Sequence, residues 1–341
     1  MDKLRVAVIG CGCISNMHLI PAKNLDVCEL VALCDIKPER AEAAAKEYSA
    51  KAYTDYVDMF EKEKLDVVHL CLPHYLHTVV AIDAFKYGIN VITEKPMSIA
   101  LDDAKKAIEE SEKYSVKYGV IFQCRYKTAQ QFIKNHIENG VLGKVKAARS
   151  TLTWYRPDDY YDSSDWKGTW DKEGGGVIID QAIHSIDLTN WFIDSKPVSV
   201  QANISNRHHK NMIVEDTAEG MIEYENGVLY SFWAMNNYVI DEPIEIRLVC
   251  ENGTANITYD DATIYLNNGE TLTCTQDLTN KEKYSGLKTY WGFQHYDQIR
   301  DFYESVIENR KPYINCTDAY ETQKIVCSIY ESAKSGKIIK L

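Results

Sequence analysis

The feature that most constrains this chain lies at its start. An apolar run from Leu4 to Ile9 ends in Gly10-Cys11-Gly12-Cys13-Ile14-Ser15, a helix-compatible segment follows, and Asp35 closes the next apolar run about twenty residues on. A strand that turns sharply into a helix aims the helix's free N–H groups and positive dipole end at the space above the turn, which attracts phosphate. Gly10 permits the tight turn and Gly12 lets the backbone approach a pyrophosphate. Cys13 and Ile14, the next residues, complete the candidate phosphate loop. Ser15 replaces the third glycine and implies slightly wider helix–strand spacing. In this setting the loop implies dinucleotide binding. Asp35 suits the adenosine ribose hydroxyls and would repel a 2′-phosphate, so NAD is expected over NADP, although Lys37 and Arg40 nearby leave some room for NADP. The competing reading of Asp35 is the cap of a helix beginning near Pro38.

The rest of the N-terminal part continues the same alternation. Apolar runs Leu30 to Cys34, Val67 to Leu72, Ile89 to Ile92 and Tyr118 to Phe122 are separated by Pro38 to Tyr48, Leu76 to Tyr87 and Leu101 to Tyr114, which carry apolar residues at three- and four-residue spacing. That predicts a doubly wound parallel sheet. After about Cys124 the pattern changes. A helix over Gln130 to Asn139 capped by Gly140, a strand over Lys144 to Trp154, a polar aromatic loop over 156–173 and a long helix over Val177 to Ile193 come first. Strands at Val198 to Ser205, Ala218 to Tyr224, Val228 to Met235, Ile244 to Cys250 and Asn256 to Tyr259 follow, with turns at Glu225-Asn226-Gly227 and Glu251-Asn252-Gly253. Helices at Trp291 to Glu308 and Asp318 to Ser335 close the chain. The expected fold class is α/β plus α+β: a Rossmann domain over 1–124, then a mainly antiparallel, open-faced sheet domain over 125–341.

Composition narrows the function. A net charge of −12 and a pI near 5.3, without a basic stripe, argue against nucleic-acid binding. The N-terminus enters its first strand without a signal-peptide core, and no run approaches the ~18 apolar residues of a membrane helix, so a cytoplasmic protein is expected. Ten scattered cysteines without CxxC pairs read as reduced thiols. His74 and His77 lack further ligands at workable spacing, so no metal site is expected.

Three more segments carry a family resemblance: Cys71-Leu72-Pro73-His74-Tyr75-Leu76-His77, Thr93-Glu94-Lys95-Pro96-Met97, and Gly174-Gly175-Gly176 leading to Asp180-Gln181-Ala182-Ile183-His184-Ser185-Ile186-Asp187. With the glycine loop they resemble the glucose-fructose oxidoreductase and inositol dehydrogenase family, often called Gfo/Idh/MocA, over nearly the whole chain. The resemblance implies an active site in a cleft between the two domains and a homo-oligomer, dimer or tetramer, built through the C-terminal sheet. It implies that Lys95 is an active-site lysine, that Asp180 and His184 are a catalytic helix pair, and that Pro73, His77 and Glu94 belong to the cofactor-binding set. His74 departs from the more usual asparagine. Arg125 falls near a position that contacts substrate or nicotinamide, with a surface salt bridge as the competing reading.

Oxidising an alcohol removes a hydride from carbon and a proton from oxygen. Asp180 and His184, four apart, share one face of a regular helix, with Asp187 continuing the line, so Asp180 can orient His184 as it accepts the proton. Lys95 can donate to the reacting oxygen. The glycine run before Val177 suggests close approach of backbone to ligand. Trp166 and the tyrosines of the aromatic loop suit a sugar-stacking wall or simple core packing, and His295 carries the same two readings. The function expected is NAD-dependent oxidation of a sugar, cyclitol or related polyol. The alternatives are glycoside cleavage through a transient keto-sugar with NAD recycled, and a non-catalytic NAD-binding regulator.

Overall fold

The computed structural model describes residues 3–162, 164–275, 287 and 293–341. The chain divides into two compact units, Met1–Gln123 with Thr279–Tyr320, and Cys124–Leu278 with Glu321–Leu341. Sequence pattern alone assigns everything after 124 to the second domain. The fold instead returns the segment Thr279–Tyr320 to the first unit, because the helix there buries its apolar face in that unit's core.

The first unit's strands β1 (Leu4–Ile9), β2 (Cys28–Cys34), β3 (Lys51–Tyr53), β4 (Val67–Leu70), β5 (Asn90–Thr93) and β6 (Tyr118–Val120) form a parallel sheet in the order β3-β2-β1-β4-β5-β6. Helices α1 (Asn16–Asn24), α2 (Pro38–Tyr48), α3 (Tyr56–Lys62), α4 (His77–Lys86) and α5 (Leu101–Lys113) alternate with them. This is the doubly wound order, and it places the β1–α1 turn at a strand's C-terminal end, where such sheets bind ligands. Val6, Ala7 and Val8 are wholly buried, as expected for a strand covered on both faces. In α2, Pro38 sits in the first turn where its missing N–H costs nothing, Ala41 and Ala45 face inward, and Ser49 ends the helix in the left-handed region. Short β3, largely exposed, and α3 have no counterpart in the sequence pattern above.

In the second unit α6 (Thr128–Glu138), β7 (Val145–Thr153), α7 (Asp158–Asp162) and α8 (Ile183–Ile193) precede the strands β8 (Pro197–Ser205), β9 (Thr217–Tyr224), β10 (Leu229–Met235), β11 (Glu245–Cys250), β12 (Gly253–Thr258), β13 (Asp261–Leu266) and β14 (Thr271–Thr275). After α9 (His295–Ile307) and α10 (Cys316–Ser335), β15 (Ile339–Lys340) closes a sheet of order β14-β13-β12-β11-β7-β10-β9-β8-β15. It is antiparallel except between β7 and β10. Along β10, Tyr230, Phe232 and Ala234 are buried while Leu229, Ser231 and Trp233 face out, and register places Met221 and Val249 on that same outer face. Residues 156–173, expected as loop, contain the short helix α7. The helix expected over Val177 to Ile193 is in two parts, a π-helical turn Ile178–Ala182 followed by α8. The helix expected from Trp291 is described from His295, and Trp291 lies outside the described residues.

α9 shows why its segment belongs to the first unit. Ile299, Phe302 and Tyr303 are buried there, and a Cβ on Gly119 of β6 would lie 2.9 Å from the Phe302 ring, so only glycine admits the helix. Gln298 takes over edge pairing of β6: its Oε1 accepts from the Phe122 amide at 3.0 Å and its Nε2 donates to the Val120 carbonyl at 2.7 Å. Among the described residues no helix is long and apolar enough to cross a membrane.

Candidate active site

The glycine loop is shaped by what lies beneath it. Gly10 has φ 93°, and a Cβ there would fall 2.2 Å from the Cys71 carbonyl oxygen, so both conformation and space require glycine. A Cβ on Gly12 would meet nothing within 4 Å, leaving open room over the backbone, as a bound dinucleotide requires. Cys13 is exposed and Ile14 partly so. Ser15 is buried and its hydroxyl donates to the Gly12 carbonyl at 2.7 Å, closing the loop in place of a third glycine. Asp35 accepts from backbone through both carboxylate oxygens: one from the Cys11 amide at 2.8 Å and the other from the Lys37 amide at 2.9 Å, the second bond fitting the capping reading. It ties the end of β2 to the glycine loop and caps the turn into α2.

His77 is wholly buried, its ring nitrogens 2.7 Å from the Pro96 carbonyl and 2.8 Å from that of Leu72. The ring lies between the segments that follow β4 and β5; burial lowers its pKa against the pull of both carbonyls, and a neutral imidazole donates to only one of the two at a time. Pro73, partly exposed, precedes a single 3-10 turn that contains buried His74. Lys95 is partly exposed between buried Glu94 and Pro96.

Glu94 sits among buried imidazoles. Its Oε1 lies 3.0 Å from His18 Nε2 and 3.2 Å from His295 Nε2. His18 Nδ1 is 2.8 Å from His69 Nδ1, and His69 Nε2 is 2.7 Å from the Tyr303 hydroxyl. A carboxylate only accepts, so both Nε2 atoms carry protons; neutral His18 then accepts at Nδ1, His69 donates from Nδ1, and Tyr303 donates to His69. Burial lowers His18 against the pull of Glu94 and sets His69 well below its usual range. Burial alone would raise Glu94, but the bonds from His18 and His295 outweigh it and hold the carboxyl well below its usual range.

The unfolded chain takes up protons on His18 and His69 below about pH 6.5 while the folded chain resists, so stability falls on acidification by up to about 1.4 kcal/mol per pH unit for each ring. Glu94 adds a further loss as pH falls through the ordinary carboxyl range. The urea midpoint should drop from about pH 7.5 to about pH 5.5, less steeply in His69→Gln. A flat midpoint in the unsubstituted protein would exclude the neutral-histidine chain.

In the second unit, Asp180 and His184 are both partly buried at the π-turn and the first turn of α8. The π-turn changes the phase that a regular helix would give, and such turns concentrate at functional sites. Asp187 does not continue the line: it is buried, accepting Arg125 Nε at 2.8 Å and a second guanidinium nitrogen at 2.6 Å, with Thr322 Oγ1 at 2.8 Å. Arg125 is therefore in a salt bridge, but a buried and bidentate one and not the surface pair considered above. One oxygen of Asp180 accepts from the Tyr160 hydroxyl at 2.8 Å and from the Gln181 side chain. Burial first, then the charge of Asp180, holds the Tyr160 hydroxyl protonated. Buried Glu173 is pushed well above its usual range by burial and then by the charge of Asp180.

The aromatic loop divides its labour. Tyr161 is buried against Met212 and Val214, and Trp170 packs edge-on to Tyr330 while donating to the Ile213 carbonyl at 2.9 Å. Trp166 is partly exposed, and Lys167 Nζ lies 3.4 Å from the centre of the Tyr160 ring and 5.8 Å from that of Trp166. Sequence reasoning missed Tyr160 as the partner of Asp180, and it missed Glu215 and Tyr330 entirely. The one available signal for Glu215 was a carboxylate following apolar Ile213-Val214.

Residues 4–122 match the family model described as oxidoreductase family, NAD-binding Rossmann fold, and residues 130–256 match that of the GFO/IDH/MocA C-terminal domain. Among curated relatives, the D-glucoside 3-dehydrogenase of Escherichia coli is 27% identical, with 99% of this chain and 97% of the relative covered. The myo-inositol 2-dehydrogenase of Thermotoga maritima is 29% identical, with 59% of this chain and 58% of the relative covered. Among solved structures, the WlbA dehydrogenase of Bordetella pertussis in complex with NADH and UDP-GlcNAcA superposes with a TM-score of 0.89 at 26% identity, covering 100% of this chain and 98% of that one.

Proposed function

This chain belongs to the GFO/IDH/MocA oxidoreductase family, with its NAD-binding Rossmann fold, and from that premise we propose that it oxidises a hydroxyl group of a sugar, cyclitol or related polyol, using NAD in preference to NADP. The observation that carries this reading is the loop over residues 10–15, with glycine required at Gly10, open room over Gly12, and Asp35 tied to its base. Gly10, Gly12, Cys13 and Ile14 would hold the pyrophosphate, Pro73 would flank the cofactor, and Asp35 would accept the adenosine ribose hydroxyls. Bound NAD supplies a hydride acceptor. Relatives named for a glucoside and for myo-inositol support a sugar or cyclitol as donor.

The proton is the protein's task. His184 accepts it from the substrate hydroxyl, Asp180 stabilises the imidazolium, and Tyr160 holds Asp180 in place. Lys95 donates to the oxygen as negative charge develops there. Trp166 offers an apolar face to a polyhydroxylated ring. Arg125 is not carried forward as a substrate contact, since its guanidinium is committed to Asp187. The free cysteines suit a reducing cytoplasm. Leu229, Trp233, Met221 and Val249 on the sheet's outer face suit a homo-oligomer.

The cofactor preference is tested by kcat/KM with NAD and with NADP. NAD should be used better, and Asp35→Ser should narrow its advantage by removing the charge that repels a 2′-phosphate. Equal or better use of NADP by the unsubstituted enzyme would remove Asp35 from this role.

A further inference from the structure

Within the run Gly174-Gly175-Gly176, the last two glycines lie against two residues of the protein itself. A Cβ on Gly176 would lie 1.9 Å from the Glu215 carbonyl oxygen, and one on Gly175 would lie 2.0 Å from the Tyr330 hydroxyl. Gly175 and Gly176 are needed because this backbone presses against Tyr330 and Glu215, so for these two the protein itself supplies the reason for glycine. The contact is organised. The Gly176 amide donates to Glu215 Oε2 at 2.9 Å, the Val177 amide to the Glu215 carbonyl at 3.1 Å, and the Ile178 amide to Glu215 Oε1 at 3.1 Å. The Ile179 amide donates to the Tyr330 hydroxyl at 3.2 Å, which itself donates to Glu215 Oε1 at 2.8 Å.

The first amides of a helix have no partner within it, and a single capping side chain ordinarily satisfies one of them. Here four successive amides are satisfied by Glu215 and Tyr330, both distant in sequence. The next amide, that of Asp180, makes a helical bond to the Gly176 carbonyl at 3.0 Å. Glu215 is 2% exposed, and burial pushes its carboxyl up to about 7 against these donors. Such an expensive arrangement is poorly explained by helix stability alone, which an exposed serine or aspartate cap would supply.

We propose that Glu215, with Tyr330 as its bridge, is a positioning residue for the oxidation, fixing the start of the π-turn so that Asp180 and His184 are held at the angle proton transfer requires. The proposal rests on the assignment of Asp180 and His184 as the proton-handling pair. Glu215→Gln preserves volume but replaces one accepting oxygen with an amide donor. It must then face a donor, either the Gly176 amide or those of Ile178 and Tyr330.

The test is steady-state kinetics of Glu215→Gln on the best substrate, alone and combined with His184→Ala, with amide exchange followed over residues 176–179. Glu215→Gln should lose about 10- to 100-fold in kcat, the scale of a small misplacement of a reacting group, with little change in KM for NAD and faster exchange at those amides. In the His184→Ala background it should cost nothing more. If Glu215→Gln does not fold, Tyr330→Phe, which deletes only the bridging hydroxyl, carries the same test with a smaller loss. A folded Glu215→Gln enzyme with unaltered kcat beside a crippled His184→Ala overturns this inference alone, as does an equal loss in both backgrounds. Near-normal turnover by His184→Ala overturns the underlying base assignment, and this inference with it.

Discussion

His184→Ala should lose about 10²- to 10⁴-fold in kcat on the best substrate while NADH binding survives, because a positioned acid–base group contributes on that scale and His184 is not assigned to the cofactor loop. The loss should fall on kcat and kcat/KM alike, the pattern of an interaction made only as the proton moves. Asp180→Asn should be equal or milder: it removes the charge proposed to stabilise the imidazolium but keeps an oxygen that can accept from Tyr160. A folded His184→Ala enzyme with near-normal kcat would remove the base assignment and leave Lys95 as the proton acceptor.

Lys95→Ala should lose a comparable factor for a different reason. As the hydroxyl loses its proton, negative charge accumulates on oxygen, and a compact ammonium aimed at that atom is worth more in the transition state than in the ground state. Lys95→Arg should recover little, since a planar fork cannot occupy the place of a compact ammonium. With donor and base on the one proton path proposed above, the double variant His184→Ala/Lys95→Ala should resemble the worse single variant. Losses that multiply would mean that the two residues act independently.

The parts of this account that sequence revealed are those whose causes are local. The turn after β1 is written in consecutive residues, because Gly10 must adopt a positive φ and no other residue fits against Cys71. The α2 boundaries could be read because Pro38 starts the helix and its inward face is a simple repeat of alanine. What sequence hid is long-range. Nothing around His295 announces that it meets Glu94, 201 residues away, or that α9 returns to the first unit. In sequence Asp187 continues the face of Asp180 and His184, and Arg125 reads as a substrate contact or a surface ion pair, yet the two residues pair with each other in the interior. The hairpin of β13 and β14 was legible in principle, since Asn267-Asn268-Gly269 is a turn signal between two alternating stretches. The π-turn was not, because an apolar run at that position fits a regular helix equally well.

The central claim is hydride transfer from a polyol to NAD, and net NADH formation tests it most directly. Purified protein incubated with NAD and a panel of free sugars, cyclitols and glycosides should reduce NAD with at least one free polyol, in equal amount to the ketone formed. The same mixture should give no NADH with His184→Ala or Lys95→Ala beyond a small fraction of that rate. Glycoside cleavage without net NADH would assign the chain to the NAD-recycling alternative, and NAD binding without turnover of any compound would contradict the account.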